Sequence, residues 1–258
     1  ENYEKVMGNL EVMVEAEDTS SDFSFEDPTE FHGSPANAVV DFDTWSDVLE
    51  EVSSVFTRSE IVHSGDAVLR VTCRNTSFGS SEGSVVFQGQ TYSTIALSCN
   101  TKAEDGMDLS RYMSFTSDSP KGLPDRDSLL FWADSLVDEL EALYNAEVVE
   151  PYIGPAILVN RASGVFFHEI FGHRIEGHRQ KSVSDGQTFA DKVGELILPE
   201  FLTIYDDPTV HDFNNSFLRG YYKYDDEGQE AKKVTVVDKG ILNEFLMSRT
   251  PVREYEKS

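Results

Sequence analysis

Gly164-Val165-Phe166-Phe167-His168-Glu169-Ile170-Phe171-Gly172-His173 sets two imidazoles and one carboxylate along a single apolar segment. Neutral imidazole is a good zinc donor. A carboxylate beside the first donor is too short a step away to bind the same ion comfortably, yet it can take a proton from an attacking water. His168 and His173 are therefore the candidate metal ligands and Glu169 the candidate catalytic base, in the arrangement that zinc hydrolysis uses. The spacing is HExxxH, i and i+5, where the familiar pattern is i and i+4. Five residues of a regular α-helix turn about 140° round the axis, against about 40° for four, so two such ligands diverge. A π-bulge, or a helix that ends at Gly172, brings both rings to one side, and glycine tolerates the torsions this needs. The spacing thus predicts a distorted last turn over 171–173. The same residues also suit a buried segment whose two histidines are each satisfied by hydrogen bonds, and spacing alone leaves that reading open. Half of the six histidines, His168, His173 and His178, fall within eleven positions, beside an acid and two glycines, Gly172 and Gly177.

Outward from the motif the hydrophobic pattern assigns the other elements. Immediately upstream, Ala156-Ile157-Leu158-Val159 reads as a short buried strand that leads through 160–163 into the motif helix. Over 126–145 the residues Leu129, Leu130, Ala133, Leu136, Val137, Leu140, Leu143 and Tyr144 keep helical spacing, which predicts a long core-facing helix. Residues 118–124, with two Pro and a Gly, read as a connection between units. Before it, Trp45, Val48, Leu49, Val52 and Phe56 lie on one face of a helix beginning near Asp43. Segments 67–74, 83–88, 91–98 and 107–115, rich in Val, Thr, Phe and Tyr, read as antiparallel meander strands. Downstream, 195–205, 220–224, 233–238 and 241–247 look like strands, with Asp238-Lys239-Gly240 as the tight turn of the last pair. The expected fold class is α+β. An antiparallel sheet with helices occupies residues 1–120, and 121–258 open a β-rich domain that carries the HExxxH helix.

Composition narrows the partners. The 258 residues include 39% apolar side chains, with 17 Phe and 10 Tyr, enough for real cores. Forty-seven acids against 21 bases give a net charge of −26, which repels a phosphate backbone, so nucleic acid is not an expected partner. The acidic runs at 15–27 and 225–230 read as solvated loops. No stretch approaches the roughly 18–20 consecutive apolar residues of a membrane span, and no membrane association is expected. The N-terminal Glu1-Asn2-Tyr3-Glu4-Lys5 has neither an initiator Met nor a signal-peptide apolar region, as expected of a chain cut at its start. The expected compartment is cytoplasmic. Cys73 and Cys99 fall in or at the end of strand-like segments and read as buried thiols, with one bridge between them as the alternative.

Gly154-Pro155-Ala156-Ile157-Leu158, the motif extended through Arg174-Ile175-Glu176-Gly177, Ile204-Tyr205-Asp206-Asp207-Pro208, Tyr224-Asp225-Asp226-Glu227-Gly228 and Asp238-Lys239-Gly240-Ile241-Leu242 resemble, in order and separation, the TldD/PmbA family, formerly labelled modulators of DNA gyrase. The resemblance covers residues 126–258, about half of the chain. It implies a zinc metallopeptidase of the TldD-like, motif-bearing kind, with 121–258 as the first part of its C-terminal metallopeptidase domain. His168 and His173 would be zinc ligands and Glu169 the base. The family's third ligand is a Cys far downstream, beyond Ser258, so this piece is expected to be inactive. Cys73 and Cys99 lie upstream in the other unit and are not assigned that role. His178 departs from the family pattern and reads as an exposed loop histidine or an opportunistic ligand. Arg174 and Arg179 could contact a carbonyl or carboxylate, but salt bridges to nearby acids are the plainer expectation. The resemblance further implies flexible or unfolded peptides as substrates and a homodimer, or a heterodimer with an inactive relative. Exposed strand edges could hold an extended peptide by β-augmentation. Two rival readings are a non-catalytic subunit or peptide-binding module of such a complex, and gyrase modulation through nucleic acid, which the acidity disfavours.

Overall fold

The computed structural model describes residues 23–181, 188–214, 216–250 and 252. Most of the acidic run 15–27 and the N-terminal residues lie outside them. The described residues divide into two compact units, one formed by Pro28–Pro155 with Pro208–Ala231, the other by those within Ala156–Asp207 and Lys232–Ser258 with 23–27. The architecture is mixed α+β, with three helices and several small sheets among the described residues.

In the first unit, strand β1 (Glu30–His32) precedes helix α1 (Phe42–Ser54) and strands β2 (Ser64–Gly79), β3 (Val85–Lys102) and β4 (Asp108–Ser117). β2 pairs antiparallel with β3 from Ser64↔Asn100 to Gly79↔Val85, and β4 pairs antiparallel with β3 from Ser93↔Ser117 to Lys102↔Asp108. The meander is present, but with fewer and longer strands than the punctuation suggested. Gly89 and Gln90, read as a break, stay in the ladder opposite Asn75 and Arg74. Gly89 is there for close approach: a Cβ would stand 2.1 Å from the Ala36 backbone N and 2.6 Å from Ser34 O.

Helix α2 (Arg126–Tyr144) lays Leu129, Ala133, Leu136, Val137 and Leu140 against Ile95, Leu97 and Cys99 of β3, and Val52 and Phe56 complete this core. The helix therefore belongs to the sheet before it, and the Pro/Gly run near residue 120 falls inside the unit that extends to Pro155. Both cysteines are free; Cys99 is buried as expected, whereas Cys73 is exposed.

Residues 220–224 do not form the expected strand. Part of their backbone is taken by glutamine side chains of β3 instead: Gln88 Nε2 donates to Tyr224 O at 2.8 Å, Tyr224 N donates to Gln88 Oε1 at 3.4 Å, and Gln90 Nε2 donates to Tyr221 O at 3.2 Å. Asp225 Oδ1 then accepts from the backbone N–H groups of Glu227 and Gln229, each at 2.8 Å, which closes an Asx-type turn.

The second unit carries helix α3 (Asn160–Ile170) and a three-stranded sheet of β5 (Ile204–Asp206), β6 (Val234–Asp238) and β7 (Ile241–Leu242), with β6 central. Lys239 and Gly240, at φ 48° and 81°, supply the two positive φ values of a type I′ turn, so the Asp238-Lys239-Gly240 reading holds. Of 195–205, Ile204 and Tyr205 enter the ladder, with an irregularity between them, and Leu196 makes an isolated antiparallel bridge to Ile241. Residues 156–159 are not a buried strand: they pair with no strand among the described residues, and Ile157 is 93% exposed. An apolar run becomes a strand only where a neighbour takes its hydrogen bonds.

Two tests follow from the first unit. Leu140→Ala removes a side chain with 0% exposure between helix and sheet and should cost about 2–5 kcal/mol, read by urea unfolding. The cap carboxyls Asp41 and Asp125 are held below the usual carboxylate range by hydrogen bonds from Thr44 and Ser128 respectively. A depressed folded pKa gives stabilisation that is complete above the unfolded value, about 3.9, and lost as pH falls through the folded one. The thermal midpoint of Asp125→Asn should therefore fall less steeply below about pH 4 than that of the wild type.

Candidate metal centre

Helix α3 stops at Ile170. Phe171, at φ −125° and ψ −50°, leaves the helical region, and Gly172–Arg174 form one tight 3₁₀ turn. The distorted turn expected from the spacing is present, but its cause is not the glycine. Gly172 does not take a positive φ, and a Cβ there would meet only His168 Nδ1 at an ordinary 3.5 Å. What turns the chain is burial: Phe171 and Ile175 are 3% and 5% exposed, packed with Val236, Val237, Leu242 and Phe245. The Phe171 ring also lies 5.2 Å from Phe167 and 6.0 Å from Phe189.

The break brings the motif together. The His168 and His173 rings lie edge to face at 4.4 Å between centroids, and one ligand atom from each of His168, Glu169 and His173 falls within 4.8 Å of the others. Tetrahedral zinc with Zn–N near 2.0–2.1 Å needs its donors roughly 3.3 Å apart, a closure within reach of side-chain rotation. Two imidazoles on a solvent-reachable turn, with a carboxylate beside them, fit zinc. Glu169 Oε2 stands 3.8 Å from His173 Nε2, with the Glu169 side chain 63% exposed.

Beyond the motif, Glu176 Oε1 lies 2.7 Å from His173 Nδ1, and Arg179 Nε donates to Glu176 Oε2 at 2.6 Å. Partial burial works to raise the Glu176 carboxyl, but hydrogen bonds and charge from Arg179 and His173 outweigh it and hold it below the usual range. The Glu176 backbone is fixed as well. Gly177 N donates to Leu246 O at 2.8 Å and Leu246 N to Ile175 O at 2.9 Å, forming a parallel bridge. Sequence reasoning quoted Glu176 without giving it a role; the available signal was a lone acid three residues after a candidate ligand, one 3₁₀ turn away.

The remaining candidates fall outside the group. His178 is 67% exposed, with Nε2 3.7 Å from Glu176 Oε2. Arg179 makes the salt bridge expected of it, whereas Arg174 caps the helix by donating to Ile170 O at 2.7 Å and to Thr188 Oγ1 at 2.8 Å. Cys73 and Cys99 belong to the other unit.

The broken helix thus brings two histidines and a glutamate together as a group that could hold a metal ion, and comparison with known proteins shows what this stretch is similar to. The sequence model described as the PmbA/TldA metallopeptidase C-terminal domain matches residues 152–258. A metalloprotease of Methanocaldococcus jannaschii is 41% identical over 93 residues, 36% of this chain and 19% of that protein. A zinc metalloprotease TldD homolog of Saccharolobus solfataricus is 34% identical over 95 residues, 37% of this chain and 20% of its own length. The matched stretch thus spans about a fifth of these relatives. A solved structure from Bacteroides thetaiotaomicron, described as a modulator of DNA gyrase, shares the fold at a TM-score of 0.62 and 15% identity, over 81% of this chain and 46% of that one. Residues 152–258 match the C-terminal domain of the TldD/PmbA metallopeptidases, and this part of the chain is homologous to zinc metalloproteases of that family.

The bridge to Leu246 can be tested at Gly177, where a Cβ would stand 2.3 Å from Met247 Sδ and 2.8 Å from Leu246 O. Gly177→Ala should destabilise the unit by about 1–3 kcal/mol and weaken the nuclear Overhauser contact between the His168 and His173 rings.

Proposed function

We propose that this chain carries the metal-binding and proton-transfer elements of a zinc peptidase. The observation that carries the reading is the convergence of His168, Glu169 and His173 within 4.8 Å on a helix whose end is turned by its own buried residues. His168 and His173 would hold the ion. When bound, zinc supplies Lewis acidity, polarising the scissile carbonyl and lowering the pKa of a water. Glu169 accepts the proton of the attacking water and delivers it to the leaving amine. Its exposed position beside His173 Nε2 suits a group that must reach both. Two histidines would leave a catalytic zinc ion short of its usual third protein donor, which would come from outside the described residues.

The substrates proposed are flexible or unfolded peptides, cleaved in a paired-subunit assembly, homomeric or with a related inactive subunit. Val165, Phe166 and Ile170, 60%, 52% and 45% exposed on α3, support a covering partner at this helix. No described helix is long and apolar enough to cross a membrane, and a cytoplasmic location is part of the same proposal.

Competition with a chromophoric chelator tests the ligands: zinc affinity should fall at least about tenfold in His168→Ala and in His173→Ala and stay unchanged in Glu169→Gln. On a quenched unstructured peptide, the assembled enzyme with Glu169→Gln should lose about 10²–10⁴ in turnover. Zinc affinity indifferent to both histidines would overturn the metal assignment. A Glu169→Gln enzyme that keeps its turnover would remove the base, and partner binding with no wild-type hydrolysis would favour the non-catalytic alternative.

A further inference from the structure

Glu176 lies closer to His173 than the motif's own carboxylate does, 2.7 Å against 3.8 Å. Its Oε1 meets His173 Nδ1 at 2.7 Å and its Oε2 accepts from Arg179 Nε at 2.6 Å. The carboxylate is therefore engaged on both oxygens, and the guanidinium keeps it ionised and purely an acceptor. Its main chain is held from two sides. Arg179 N donates to Glu176 O at 3.2 Å, and the flanking Ile175 and Gly177 are pinned by Leu246. Burial of Ile175 in the core beside β6 and β7 leaves this stretch no freedom to drift.

We infer that Glu176 is a positioning residue that fixes the tautomer of His173 for metal. A free histidine side chain prefers its proton on Nε2, the nitrogen that here faces Glu169 across 3.8 Å and would have to donate its lone pair to an ion. An ionised carboxylate at Nδ1 can only accept, so it draws the proton to Nδ1 and leaves the Nε2 lone pair directed at the site. Arg179 acts one step further out by fixing the carboxylate that fixes the ring. Among the described residues no carboxylate makes such a hydrogen bond to His168, so the two candidate ligands differ: His173 is set in advance of the metal and His168 adapts to it. This inference rests on the zinc reading of the site, but its primary readout does not require zinc to be present.

The test is ¹⁵N chemical shifts of the His173 ring in the metal-free chain, at a pH where the ring is neutral, with the His168 ring as internal control. In the wild type His173 should be protonated at Nδ1. Glu176→Ala should move the proton to Nε2 at His173 alone and weaken zinc binding about 10- to 100-fold. Glu176→Gln, nearly the same size and still an acceptor through its amide oxygen, should largely restore both, which separates hydrogen-bond direction from packing if the alanine variant folds poorly. His173 protonated at Nε2 in the wild type, or unmoved by Glu176→Ala, overturns the inference. If zinc binds nowhere while the tautomer follows Glu176, the metal reading fails and the positioning role stands.

Discussion

The candidate centre depends on the burial of Phe171. A helix running on through 171–173 would carry His168 and His173 to different sides, and no carboxylate or arginine nearby could bring them back. The chain leaves the helical region at Phe171 because its ring, together with Ile175, enters the core built by Val236, Val237, Leu242 and Phe245. The tight 3₁₀ turn that follows is the consequence, and the parallel bridge of Glu176 to Leu246 holds it from the far side. Site geometry in this unit is thus a by-product of hydrophobic packing, and the I′ hairpin at Lys239-Gly240 contributes to it by setting Leu242 and Phe245 where the motif's last turn can bury.

Periodicity disclosed the elements that bury one face within their own span. The 126–144 helix is an example: five side chains at helical spacing face the sheet, so the pattern and the packing carry the same information. The i+5 spacing of the histidines was informative for a similar reason, since only a broken helix makes chemical use of it. Failures occurred where a distant partner decides the outcome. Ala156-Ile157-Leu158-Val159 has strand composition and no strand beside it. Residues 220–224 have strand composition too, yet the carbonyls of Tyr221 and Tyr224 are taken by Gln90 and Gln88, side chains more than a hundred positions away. Gly89 looked like punctuation because close approach of the Ser34–Ala36 backbone leaves no mark in local sequence. Glu176 stayed hidden because one acid among 47 has no distinguishing composition, only a place.

That place gives the two carboxylates at His173 opposite characters. Glu176 touches Nδ1 at hydrogen-bond distance, is locked by Arg179 and sits on backbone pinned at Leu246. Glu169 stands off Nε2 at 3.8 Å with most of its side chain in solvent. A group that orients a ligand must not move, because each tenth of an ångström it gives up is passed to the ring. A group that carries a proton from water to a leaving amine must move, or at least meet two partners in turn. In the zinc peptidase reading the fold provides both within eight residues, one carboxylate held by the core and the other left free by the exposed face of α3. The assignment of roles thus follows from which side of the helix break each acid occupies, since Glu169 precedes Phe171 and Glu176 follows it.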